Sequence, residues 1–239
     1  VGLARRPGTA LVCASVNVTE LLRWWKPENP SNYNLVAEPI LFVSLGLLVG
    51  FLADSERRAK YERNLAEERA KQEFQKAIQD PLTLAYNRRH LDKTLADFWK
   101  MAQEGGAPFS LLMIDLNNFK IVNDRFGHAM GDRVLQSTVQ NIFNNTRKTD
   151  MVFRYGGDEF LLLLPMTRGE FALNLANRLR EEFAKLTFRS SNRETFKADF
   201  SIGVIEYRPD FSSLHEMFLK LDEALYRAKK EVGKIALAG

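Results

Sequence analysis

Asp150-Met151-Val152-Phe153-Arg154-Tyr155-Gly156-Gly157-Asp158-Glu159-Phe160-Leu161-Leu162-Leu163-Leu164 decides how this chain is read. Two apolar-rich runs flank a Gly-Gly pair, with two acids immediately after it. The pattern predicts a hairpin, because Gly-Gly accepts the positive φ values of tight turns. A tip without side chains lets a ligand lie against bare backbone. Carboxylates beside it suit Mg²⁺, and Mg²⁺ in turn holds phosphates. A surface turn followed by a solvated acid reads the same way in isolation, so the rest of the chain must supply partners.

The nearest partner is Phe109–Leu116, a short apolar run that reads as a buried strand with Asp115 near its end. If that strand neighbours the hairpin, Asp115 and Asp158 complete one metal site; alone, Asp115 reads as a strand-end residue capping the next turn. The stretch from Asn118 to Leu135 alternates apolar and polar residues around Gly127 and Gly131. Its Asn and Asp side chains carry the donors and acceptors that read a guanine edge. Asp80-Pro81-Leu82-Thr83 predicts a boundary, with Asp80 capping an amphipathic helix over Leu82–Met101. Ser201–Val204 reads as a further core strand.

Several of these segments together resemble the diguanylate cyclase family, whose naming motif is GGDEF. The segment DPLTLAYNRR resembles the family's opening motif, with Leu84-Ala85 where the family writes Gly-Leu. Residues from Asp115 onward are similar to D-x-D-x-F-K, N-D, G-H and G-D, with Asn117 in place of the second Asp. Asp222–Lys234 resembles D-x-A-L-Y-x-A-K-x-x-G-R, with one residue inserted before Gly233 and Lys234 in place of Arg.

The resemblance implies an α/β fold like nucleotidyl cyclases and polymerase palms, with an antiparallel-rich central sheet surrounded by helices. It implies condensation of two GTP into cyclic di-GMP with release of pyrophosphate, in a homodimer whose subunits each hold one GTP. It places metal ligands, for Mg²⁺ or Mn²⁺, on Asp115, the Leu116 carbonyl and Asp158. Guanine contacts fall on Asn123 and Asp132, and phosphate contacts on Asn118, Phe119, Lys120, Lys229 and Lys234. Gly156, Gly157, Asp158 and Glu159, with Lys120, complete the catalytic set. Arg147-Lys148-Thr149-Asp150 reads as a turn with a local Arg–Asp pair. The resemblance makes it an inhibitory product site, joined by Arg178. The alternative is a catalytically weak receptor domain that binds GTP or cyclic di-GMP.

Upstream of this domain, composition changes. Leu35–Ala53 carries one charge, Glu38, and is just long enough to cross a membrane. A buried soluble helix is the competing reading. Pro39 is expected in the first turn, and Gly46 and Gly50 have small-xxx-small spacing. Arg57, Arg58, Lys60 and Arg63 follow, which predicts a cytoplasmic C-terminal side at an inner membrane. Trp24, Trp25 and Tyr33 are candidate interfacial anchors. Gly8–Leu22 reads either as the end of a preceding membrane helix or as an amphipathic surface helix. Asp54–Gln79 lacks Gly and Pro and predicts a helical connector with a broken apolar seam, either a coiled coil or a single solvated helix. The expected organisation is therefore 1–53 membrane-associated, 54–79 connector and 80–239 catalytic.

The chain has 239 residues, 45% hydrophobic and 27% charged, which fits a globular domain with an appendage. A net charge of +4 is too small to indicate nucleic-acid binding. One cysteine excludes an intrachain disulfide, and three scattered histidines argue against a histidine-based zinc site. The first residue is Val1 rather than Met, as expected of a piece of a longer protein.

Overall fold

A computed structural model describes residues 31–230 and 235–238. Gly8–Leu22, Trp24, Trp25 and Lys234, read above as membrane or phosphate-binding residues, lie outside them. The contacts divide the chain into two compact units, Val1–Arg69 and Ala70–Gly239.

One helix, α1 (Ser31–Ile78), passes through that division. No Gly or Pro interrupts it after Gly50, so the chemical change from apolar to charged near Asp54 leaves no break in the backbone. Pro39 lies inside the helix rather than in its first turn, because helix begins at Ser31. The side chains from Ile40 to Leu52 are exposed to solvent along the helix, so no described part of the chain buries them. By length and composition this is a helix that can cross a membrane.

The second unit begins with the end of α1 and a tight turn. Helix α2 spans Arg88–Gln103, not Leu82–Met101. Asn87 is its N-cap, and Asn87 Oδ1 accepts from the His90 N–H at 3.0 Å. Asp80 caps the turn instead: its Oδ1 accepts from Thr83 N–H at 2.9 Å and Thr83 Oγ1 at 2.6 Å. The helix cannot start earlier because Leu84 has φ 63, a left-handed conformation. That is where the family writes glycine, and the backbone keeps the glycine geometry without the glycine. A left-handed conformation costs an L-residue about 1–2 kcal/mol, partly offset by the greater chain entropy glycine loses on folding. Leu84 is also exposed. Leu84→Gly is therefore expected to stabilise the domain by about 0.5–1 kcal/mol, read as a higher urea midpoint at unchanged slope.

The sheet contains β1 (Phe109–Leu116), β2 (Met151–Arg154), β3 (Glu159–Pro165), β6 (Phe200–Glu206) and β7 (Ile235–Leu237). Their order is β2-β3-β1-β6-β7; β6–β7 is parallel and the other three strand pairs are antiparallel. Between them lie α3 (Phe119–Phe126), α4 (His128–Asn145), α5 (Gly169–Ala184) and α6 (Leu214–Lys230). A separate two-stranded hairpin is formed by β4 (Phe188–Arg189) and β5 (Thr195–Phe196).

Both faces of the sheet are covered, so its central strands read as continuous apolar runs rather than alternating ones. Leu112, Ile114 and Leu116 pack with residues of α4 and α5. Leu111 and Met113 pack on the other face with Leu91 and Leu95 of α2 and Met217, Leu221 and Leu225 of α6. The period-two alternation puts Asp115 on the α6 face, with Leu111 and Met113. Asn118–Leu135 forms two helices. Gly127, with φ 83, breaks them, whereas Gly131 lies inside α4 and is not a break.

Candidate active site

β1 and β3 are antiparallel neighbours, and their register sets Asp115 opposite Glu159. Paired residues share a face of the sheet, so both acids point toward the α6 side. Asp158 precedes Glu159, and its carbonyl accepts from Leu116 N–H at 3.3 Å. One end of the sheet thus gathers Asp115, Leu116, Asp158 and Glu159 from two segments some forty residues apart in sequence.

The hairpin turn differs from the expected one. The Tyr155 and Gly156 N–H groups both donate to the Glu159 carbonyl, at 2.9 and 3.2 Å. This makes a longer loop than a two-residue turn, and neither Gly156 nor Gly157 has positive φ. What glycine supplies here is bare backbone beside Glu159. A Cβ on Gly156 would sit 2.6 Å from Glu159 Oε2, whereas one on Gly157 would meet nothing within 4 Å. The tip is bare and open.

The electrostatics of this corner are crowded. Lys229, on the last turn of α6, places Nζ 2.7 Å from Asp115 Oδ2. Burial pushes the Asp115 carboxyl above its ordinary range; Lys229 opposes the shift and the Asp158 charge adds to it. Glu159 is raised by burial first and then by Asp115, against the pull of Lys229. Asp222, also on α6, is raised by burial. Burial first, and then repulsion between Asp115, Asp158 and Glu159, thus disfavours negative charge in this corner, which a bound cation would relieve.

The donor set fits Mg²⁺. Among the described residues no three acidic, His or Cys side chains gather as a ready metal cage. Mg²⁺ does not need one, since it is commonly held by one or two carboxylates together with substrate phosphates. Asn117, at the family's second Asp, is engaged elsewhere. Its Oδ1 accepts from Ser201 Oγ on β6 at 2.9 Å, and its Nδ2 is buried without a partner.

On the other side of β1, Asn118 takes a left-handed conformation (φ 56) and starts α3, with exposed Lys120 in its first turn. Asn123, on the same helix, is half-buried with its carboxamide lying directly against Gly131 of α4. Any side chain at 131 would displace that amide. Asp132 follows Gly131 and is exposed, so Asn123 packs against the residue next to Asp132.

Arg147 and Asp150 do not form the expected side-chain pair. Asp150 Oδ2 accepts from the backbone N–H of Arg147 at 2.8 Å, closing the turn from within. Arg178 on α5 donates from Nη2 to the Asn145 carbonyl at 2.8 Å, just before that turn. Arg147, Lys148 and Asp150 line a cavity of about 300 Å³ with Tyr86 and Phe143.

The contacts that two arginines make with the hairpin escaped the sequence reading. Arg154 Nη1 lies 3.0 and 3.1 Å from the Asp80 carboxylate oxygens, and Arg154 Nη2 donates to the Gly157 carbonyl at 2.8 Å. One mostly buried guanidinium therefore ties the turn after α1 to the hairpin tip. Arg88 lies over the Tyr155 ring, 4.1 Å from its centroid. No spacing rule signals either contact, because each joins residues about seventy positions apart.

Residues 77–234 match the family described as diguanylate cyclase, GGDEF domain. The chain belongs to the GGDEF family. Its sequence is 37% identical over 153 residues to diguanylate cyclase DosC of Escherichia coli (strain K12), covering 63% of this chain and 33% of DosC. It is 36% identical over 164 residues to response regulator PleD of Caulobacter vibrioides, covering 68% of this chain and 36% of PleD. The chain thus spans about a third of the length of these curated GGDEF relatives. Among solved structures, the coiled coil and GGDEF domain of DgcB from Caulobacter crescentus, in complex with c-di-GMP, aligns with a TM-score of 0.70. That match has 29% identity and covers 80% of this chain and 99% of DgcB's. The GGDEF domain of TpbB (YfiN) from Pseudomonas aeruginosa aligns with a TM-score of 0.62 at 33% identity, covering 67% and 94%.

Proposed function

We propose that this chain condenses two GTP molecules into cyclic di-GMP. The observation that carries the reading is the convergence of Asp115, Asp158 and Glu159 beside a bare Gly-Gly tip, in a GGDEF-family fold. Asn123 and Asp132 hold the guanine. The Asn118–Lys120 turn and Lys229 meet the phosphates, where cationic groups offset their charge. Lys229 exchanges its contact with Asp115 for one with phosphate as substrate enters.

Asp115, Asp158 and the Leu116 carbonyl would hold Mg²⁺ or Mn²⁺. Such an ion supplies charge neutralisation and a more acidic attacking hydroxyl. The chain's own groups position and screen the reactants. The 3′-oxygen of one GTP bonds to the α-phosphorus of the other, the α–β phosphoanhydride bond breaks, and the hydroxyl proton passes to water. Two such attacks, one by each GTP, give the cyclic product and two pyrophosphates. One subunit holds one GTP, so catalysis needs two domains face to face. The α1 segment after Asp54 is the proposed dimer element, as the similarity to the coiled coil and GGDEF domain of DgcB supports.

A pyrophosphate-release assay with GTP and Mg²⁺ tests the activity. Sustained release is expected; binding of GTP without release would make the chain a receptor.

The proposed anchor is Leu35–Ala53, with the catalytic domain on the cytoplasmic side. The full chain should sediment with membranes and need detergent for extraction, whereas a chain starting near Asp54 should stay in the soluble fraction. A soluble full chain would refute the anchor.

Arg147, Asp150 and Arg178 form the proposed inhibitory site. An arginine fork suits bidentate capture of phosphate or a guanine edge. Because Asp150 engages only the Arg147 backbone, that fork is left available to product. Arg147→Ala should weaken cyclic di-GMP binding about tenfold or more, by loss of one charge-assisted contact. Calorimetric titration of both proteins reads this directly.

A further inference from the structure

The β4–β5 hairpin lies outside the central sheet and contributes nothing to the site described above. It nevertheless meets the helix that carries Asn123. That helix, α3, has eight residues and only one buried side chain, Val122. So short a helix is held by what packs against it, since isolated helices of this length are unstable. Gly131 of α4 supports Asn123 from one side.

The other support comes from β5. The Phe196 ring stacks on Phe126, the last residue of α3, with centroids 4.3 Å apart and planes 7° from parallel. Phe188, opposite Phe196 in the hairpin, stacks on it at 5.5 Å and is itself buried in the core. Beside this stack Glu194 forms an ion pair with Arg125 of α3. A continuous aromatic path thus runs from the core through the hairpin to the end of α3, one helical turn beyond Asn123.

We propose that the β4–β5 hairpin positions Asn123 and thereby sets how tightly the site grips the guanine base. Phe196 is the principal positioning residue and Glu194 a secondary one; neither needs to touch substrate. The inference rests on the reading of Asn123 as a guanine contact. It predicts an effect on GTP affinity and KM with little effect on kcat, because the phosphate and carboxylate groups sit on β1, β3 and α6. Losing the Phe196–Phe126 stack should leave Asn123 less firmly placed and weaken binding about five- to tenfold.

The test is a double-mutant cycle read by calorimetry with an α,β-methylene GTP analogue, alongside GTP turnover. Phe196→Ala should weaken analogue binding about five- to tenfold and raise KM in step. Phe196→Tyr should restore both. In an Asn123→Ala background, Phe196→Ala should cost no further affinity, since coupled residues are not additive. Glu194→Gln, at the surface, should give a smaller loss that also vanishes in that background. It carries the test if Phe196→Ala does not fold. Unchanged affinity in both variants, or equal losses with and without Asn123, would overturn the proposal. Binding of the analogue by wild type without turnover would refute the cyclase reading alone and leave the hairpin to be judged by the affinities. No binding by wild type would overturn both.

Discussion

Asp158→Ala should lower cyclic di-GMP synthesis by about a thousandfold or more, the scale expected when a preorganised charge-stabilising group leaves a phosphoryl-transfer site. The same substitution should leave the fold as stable as before, or slightly more so. Asp158 adds to the repulsion that raises Asp115 and Glu159. Removing it relieves a strain that serves the site and not the fold. Activity and thermal melting should therefore move independently. A melting temperature that collapses with the activity would mean that Asp158 is structural, and retained synthesis would remove it from the chemistry.

Arg154→Ala should have the largest effect on stability. Arg154 and Asp80 are about four-fifths buried, at 18% and 17% side-chain exposure. Removing the guanidinium leaves the Asp80 carboxylate with only its Thr83 donors and leaves the Gly157 carbonyl without the Arg154 donor. Breaking a buried pair from one side costs about 3 kcal/mol, and the hairpin tip loses its tether to the turn after α1. Urea unfolding should show the loss, and turnover should fall at least about tenfold if tip geometry matters at the level that positioning usually does. An unchanged midpoint would show the pair to be dispensable.

The pair also has a pH signature. Burial pushes Asp80 up, but hydrogen bonds from Thr83 and the Arg154 charge outweigh it, so the carboxyl titrates below its ordinary 3.8 in the folded chain. Its contribution is complete above that ordinary value and is lost as pH falls through the lowered one. The wild type should therefore lose stability on the acid side more steeply than Arg154→Ala does.

The features legible in the sequence were those with a local cause. An apolar run ending in an acid, and a glycine pair between two strand-like runs, are visible because strands and turns have short periods. The adjacency of Asp115 to the hairpin followed from β1 and β3 pairing, which the sequence posed only as a condition. The start of α2 was misplaced because the pattern of Leu82–Met101 suits a helix, while Leu84 adopts a conformation that leucine seldom takes. Asp80 and Asn87 both suit a cap, and only the backbone between them decides which caps the helix. The positive φ expected at Gly156 is absent for a related reason: composition shows that glycine is present, not which conformation it takes. The Arg154–Asp80–Gly157 link and the β4–β5 support of α3 were invisible, because the first joins distant residues and the second uses strands of two residues each.

The most direct measurement is the product itself. Incubated with GTP and Mg²⁺, the full chain should yield cyclic di-GMP, identified by mass, with two pyrophosphates released for each molecule. Specific activity should rise with protein concentration, as it must if two half-sites meet. Recovery of unreacted GTP, or of a linear or monocyclic nucleotide in its place, would contradict the account.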